Sequence, residues 1–240
     1  MKRILVYSGM VCLVLLAMAS IGPGQAAAEP GETPTLSKDK PPMVVLVADP
    51  QVNQFHVPAP PGSLDVRAES ITATINIVYL QNQYDPFFGD NEIWCSSWPT
   101  AAKAAFDAAA SIWGTTLQST VPIKVYACWT GDLQPGVLGG SGTDAFVHNF
   151  PNAPLSNTWY PVSLANALSG SDQNGSEPEM HHVYNMNFDW YYGTDGNTPG
   201  NQYDFLTTVL HEMGHGLGLS LIHISEPTRL KTRSRMPSSA

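Results

Sequence analysis

The chain has 240 residues, with 20 Gly, 20 Pro, 3 Cys, 20 acidic and 11 basic side chains and a formal charge of −9 at pH 7. That length can bury a core of its own, and at 43% hydrophobic and 10% aromatic residues the chain is not disordered throughout. Its Gly and Pro follow no collagen period, and the acidic balance speaks against a nucleic-acid-binding face.

The charge is segmented. Lys2 and Arg3 stand at the N-terminus, and Arg229, Lys231, Arg233 and Arg235 crowd the last dozen residues. Between Glu29 and Gly218 only five bases face 19 acids, so that stretch stands at −14. Lys2-Arg3 followed by the apolar run from Ile4 to Ile21 predicts an export signal. Gly22-Pro23-Gly24 breaks the run, and Ala26-Ala27-Ala28 offers a cleavage site before Glu29. An uncleaved membrane anchor is the alternative, since the run approaches spanning length. Cleavage discards Cys12 and leaves Cys95 and Cys128 in an exported chain, where a disulfide between them would contribute about 3–4 kcal/mol. Two separate buried thiols are the rival reading.

Residues 29–62 are rich in Pro and polar side chains and read as a linker or pro-segment, with a short β-like run at 43–48. The alternation from Ile71 to Tyr79 predicts a strand. Pro99 opens an Ala-rich helix on which Ala102, Phe106, Ala109, Trp113 and Leu117 recur at helical spacing, with the proline in the first turn. Val121 to Trp129 predicts a second strand, and Gly131 to Tyr160 reads mostly as loop. A short helix is expected over Pro161–Leu168 and a third strand over His182–Phe188. A polar loop at Gly193–Gln202 leads into a helix over Tyr203–Leu217. The order is α+β, with a small mixed sheet, a backing helix and a final functional helix.

That last helix carries the chemistry. Asp204 is its expected N-cap, and Phe205, Leu206, Val209, Leu210, Met213 and Leu217 form its apolar stripe. His211 and His215, four apart, stack one turn above each other, with about 5–6 Å between Cβ atoms. Two imidazoles so placed can bind one Zn²⁺, and Glu212 is positioned to take a proton from a zinc-bound water. The plain alternative is two incidental histidines on the polar edge of a core helix.

His211-Glu212-Met213-Gly214-His215-Gly216-Leu217-Gly218 resembles the zinc helix of metzincin-type metallopeptidases. The strand, helix, strand order, closing on an edge-like strand at His182–Phe188, resembles that family's N-terminal subdomain. More narrowly, the stretch from the Trp98 helix through NFPNAPLSNTWYP and WYYGTDGNTPG to HEMGHGLG is similar to a group of secreted bacterial metallopeptidases. The resemblance implies zinc, hydrolysis of peptide bonds, His211 and His215 as metal ligands and Glu212 as general base. It also implies a protein or peptide substrate, met outside the cell by a monomer with no nucleic-acid partner and no membrane association after signal cleavage. A non-catalytic secreted binding or adhesion module keeping a structural zinc helix is the alternative.

The chain departs from that family just past Gly218. Metzincins place a third histidine three residues further on; here that position is Leu221, and His223 lies two beyond it. Residues 219–229, LSLIHISEPTR, resemble the translation of a transposase-type sequencing adapter, and SRMPSSA at the end resembles its far part. Residues 219–240 are therefore read as an artefactual tail on a truncated 63–218 catalytic domain. Weak zinc binding and little activity are expected of the chain as written.

Weaker motifs carry less. Asp195, Asn197 and Asp204 are candidates for an irregular calcium site, although Pro199 and Leu206 stand where an EF-hand loop wants ligands. Gly140 to Ala145 fits a nucleotide-binding G-x-G-x-x-A, but no helix follows it. His181 and His182 should face opposite ways, one exposed and one packed. His56 and His148 are expected at the surface. Trp190-Tyr191-Tyr192 suits either the core or the edge of a substrate cleft.

Overall fold

The computed structural model describes residues 34–37, 43–48, 72–88 and 92–219. The expected signal segment with Cys12, most of 29–62 including His56, and the tail with Leu221 and His223 lie outside them. In chain order the elements are β1 (Thr35–Leu36), β2 (Val44–Val47), β3 (Ile75–Leu80), β4 (Gln83–Tyr84), β5 (Trp94–Cys95) and α1 (Thr100–Thr116). There follow β6 (Ile123–Thr130), β7 (Val137–Thr143), β8 (Phe146–His148), β9 (Tyr160–Pro161) and α2 (Val162–Ser169). The last are β10 (Met180–Asn185), β11 (Trp190–Tyr191), β12 (Tyr203–Asp204) and α3 (Phe205–Gly216). Helices and a mixed sheet give the expected α+β class. Among the described residues no helix is long and apolar enough to cross a membrane.

The main sheet has five strands in the order β2-β7-β10-β6-β3. Strands β3, β6 and β10 run parallel, with α1 as the crossover from β3 to β6, and β7 is antiparallel to β10. One face is covered by α1 and α3, which pack on each other. The Ala face of α1 makes this close approach possible: Ala102, Ala105 and Ala109 are buried with Phe106 against Val125, Ala127 and Tyr184 of the sheet. Trp98, Trp129, Tyr184 and Phe205 meet mostly edge to face in the same core. Pro99 stands at the N-cap of α1 rather than in its first turn.

The Cys95–Cys128 disulfide forms, with Cα atoms 5.0 Å apart. It fastens β5 to β6 within a second buried cluster containing Leu80, Ile93 and Val183.

The structure refines three expectations. The stretch Gly131–Tyr160 is mostly turn and loop, but it also carries β8, which pairs with β1 and β9, and an interior strand of the main sheet, β7. Its run Gly139-Gly140-Ser141-Gly142 hides it, since glycines show no alternation. Close neighbours explain them: a Cβ on Gly139 would stand 2.8 Å from the Val183 carbonyl oxygen, and one on Gly140 would stand 2.6 Å from that of Val44. The strand expected at His182–Phe188 begins earlier, at Met180, and is not edge-like but central, flanked by β6 and β7. Both His181 and His182 are buried, at 3% and 0% exposure, rather than one being exposed. Lastly, the β-like run expected at 43–48 forms β2 at the edge of the main sheet, and the segment 29–62 also supplies β1 to the smaller sheet.

Candidate metal centre

The site grows from the start of α3. Asp204 caps the helix as expected: its Oδ1 accepts the Thr207 N–H at 2.7 Å, and its Oδ2 accepts the Thr198 hydroxyl at 2.5 Å. Both oxygens are thus engaged within the protein, and Asp195 accepts the Tyr191 hydroxyl at 2.6 Å and the Asn197 N–H at 3.1 Å. The loop is held by these bonds. Replacing Asp204 with Ala is expected to cost about 2 kcal/mol, the upper range for an N-cap. Asn, which can still cap, should cost less, and urea denaturation of the two variants measures the difference.

Seven residues past the cap, the helical period brings three side chains together. Ligand atoms of His211, Glu212 and His215 all lie within 4.8 Å of one another, and among the described residues no other histidine joins them. The Nε2 atoms of His211 and His215 are 2.9 Å apart, their rings edge to face. His211 is exposed, His215 half-buried and Glu212 completely buried. Partial desolvation lowers the proton affinity of both imidazoles, and the nearness of His211 adds to the effect on His215, so both favour the neutral form near pH 7.

Glu212 carries the strongest indication that a cation belongs here. Neither carboxylate oxygen has a hydrogen-bond partner of acceptable geometry, although both are buried and the Ser141 hydroxyl and N–H lie near. Burial pushes its carboxyl up from 4.5 to about 8, and the nearby side chain and N–H of Ser141 pull it partly back. A buried carboxylate with no partner is costly. A dication held by the two neutral imidazoles beside it offsets that cost, so the histidine pair fits zinc.

The glycines of the helix are packing residues. A Cβ on Gly216 would meet the Met180 sulfur at 2.8 Å, and one on Gly214 would approach Leu219 at 3.3 Å. Gly218 has φ +94°, and a Cβ there would stand 2.4 Å from Pro161.

Behind the helix, the His182 Nδ1 lies 3.0 Å from the Tyr184 hydroxyl, and the His182 Nε2 is buried without a partner. The opposite side of the sheet holds His181, 3.1 Å from Asp144. Neither histidine belongs to the metal cluster. His148 is half-buried rather than at the surface, edge-on to Trp159 at 4.2 Å. Trp190 takes the core option, buried with its N–H donated to the Asn185 carbonyl at 2.8 Å. The residues that sequence reasoning missed are Ser141 and Trp113, which hydrogen-bond the backbone of α3. Ser141 sits in a glycine run, and Trp113 is indistinguishable from the apolar stripe of α1, so neither carried a local signal.

Comparison with protein-family models, curated proteins and solved structures finds no match to the chain.

Proposed function

We propose that the chain is an exported zinc-dependent metallopeptidase of metzincin type, acting on protein or peptide substrates. The observation that carries the reading is the convergence of His211, Glu212 and His215, with both buried Glu212 oxygens lacking a well-placed partner. The resemblance of residues 211–218 to a metzincin zinc helix supports it. His211 and His215 would hold the metal. Zinc in such a site supplies Lewis-acid polarisation of a carbonyl and makes water a nucleophile near neutral pH. In its ionised form Glu212 accepts a proton from the attacking water and returns it to the departing amine.

A second reading, a binding module with a structural zinc helix, draws on the complete burial of Glu212. Little activity is expected of the chain as written, so Glu212→Gln is read on its residual peptide hydrolysis: loss of that remaining activity with zinc retained supports the enzyme. Zinc titration tests the centre itself. Two histidine ligands predict uptake weaker than at a three-ligand catalytic site, and His211→Ala or His215→Ala should abolish it. Equal uptake by wild type and both alanine variants would sink the assignment.

A further inference from the structure

The hydrogen bonds to α3 come from two different elements and fall on the two carbonyls that flank His211. The Trp113 indole N–H, on α1, donates to the Leu210 carbonyl at 3.2 Å. The Ser141 hydroxyl, on β7, donates to the Glu212 carbonyl. Ser141 is fully buried, and it is the one side chain bearing a hydroxyl in the run 139–142, otherwise glycine. Strand β7 packs beneath the helix, and Gly214 and Gly216 remove bulk from the helix on the same turn. Both acceptor carbonyls also belong to the helical ladder, so the extra donors are not needed to satisfy them. Their effect is to fix the azimuth and height of one turn, the turn bearing both histidines.

We infer that Ser141 and Trp113 are positioning residues that clamp the metal-binding turn from opposite sides. The inference rests on the metal-centre reading for its purpose, but the clamp itself is a property of the metal-free chain. Metal affinity depends on such supports because histidines that must be ordered on binding spend binding energy on that ordering. Outer supports of metal ligands are typically worth 10–100-fold in affinity.

The test uses the full chain and its Ser141→Ala, Ser141→Thr and Trp113→Phe variants. Each is titrated with Co²⁺, followed by its visible absorption, and metal-free amide exchange is read over residues 211–216. Ser141→Ala should weaken cobalt binding about tenfold and speed exchange across the turn, while Ser141→Thr, which keeps the hydroxyl, stays near wild type. Trp113→Phe should shift both readouts in the same direction, and it keeps the question open to test should Ser141→Ala not fold. A serine with a merely structural role would lower the melting temperature and leave cobalt affinity and local exchange unchanged; that result overturns the inference. If the wild type takes up no cobalt, the metal-centre reading falls. Amide exchange then decides the clamp by itself, with unchanged exchange in both Ser141→Ala and Trp113→Phe overturning it.

Discussion

Replacing Glu212 with Gln is expected to stabilise the metal-free protein by on the order of 5 kcal/mol above pH 8, and to change little at pH 4. The figure follows from a carboxyl pushed by burial from 4.5 up to about 8, at 1.36 kcal/mol per pH unit. The folded state holds the Glu212 proton more tightly than the unfolded state does. Between these two values it therefore binds more protons, and stability falls as pH rises through the window. Glutamine has the shape of the protonated acid and never ionises, so this part of the slope disappears. A shallower loss between 4.5 and about 7 should persist, because burial also raises Glu179 to about 7. On the acid side, burial, then His181 and His215, hold His182 down to about 3, so stability is lost as pH falls from 6.5 toward that value. Urea denaturation of both proteins across pH 4–9 checks this. Parallel curves for wild type and Glu212→Gln would show that the carboxyl is not buried as described. On the metallopeptidase reading the same substitution should abolish what hydrolysis the chain performs, so stability and that proposed function pull in opposite directions at this residue.

The second large effect concerns the disulfide. Converting both Cys95 and Cys128 to Ala is expected to cost about 3–4 kcal/mol, from the entropy returned to an unfolded chain no longer closed across a separation of 33 residues. The closed loop contains the whole of α1, which carries Trp113 to the turn bearing His211 and His215. The double variant should therefore unfold at lower urea concentration while the folded fraction keeps its zinc affinity, since neither cysteine touches α3. A loss of zinc affinity in the folded fraction would mean that the bridge also sets the position of α1.

Much of the candidate metal centre was legible because its information is local. A four-residue spacing sets His211 over His215, an Asp before an apolar-periodic run makes a cap, and each signal operates within one or two helical turns. The backing helix α1 was visible for the same reason, and the Cys95–Cys128 pair followed from counting cysteines in a chain expected to be exported. Strand β7 was invisible because its glycines answer to the Val44 carbonyl and to Tyr184, neither of which is near in sequence. The burial of both His181 and His182 was decided by layers on both sides of the sheet. Alternation says that neighbours face opposite ways, but Phe87 and Asp144 cover His181 on one face while the helices cover His182 on the other.

The sequence by itself determined a helix presenting two histidines and a glutamate, and an acidic chain able to close one disulfide. The tertiary structure decided what surrounds that helix. It buried Glu212 without a well-placed partner, and it brought Ser141 to a carbonyl 71 residues away and Trp113 to one 97 residues away. Periodicity acts over three or four residues, whereas these contacts exist only once β7, β10 and α1 have taken their places, and no local pattern encodes that order.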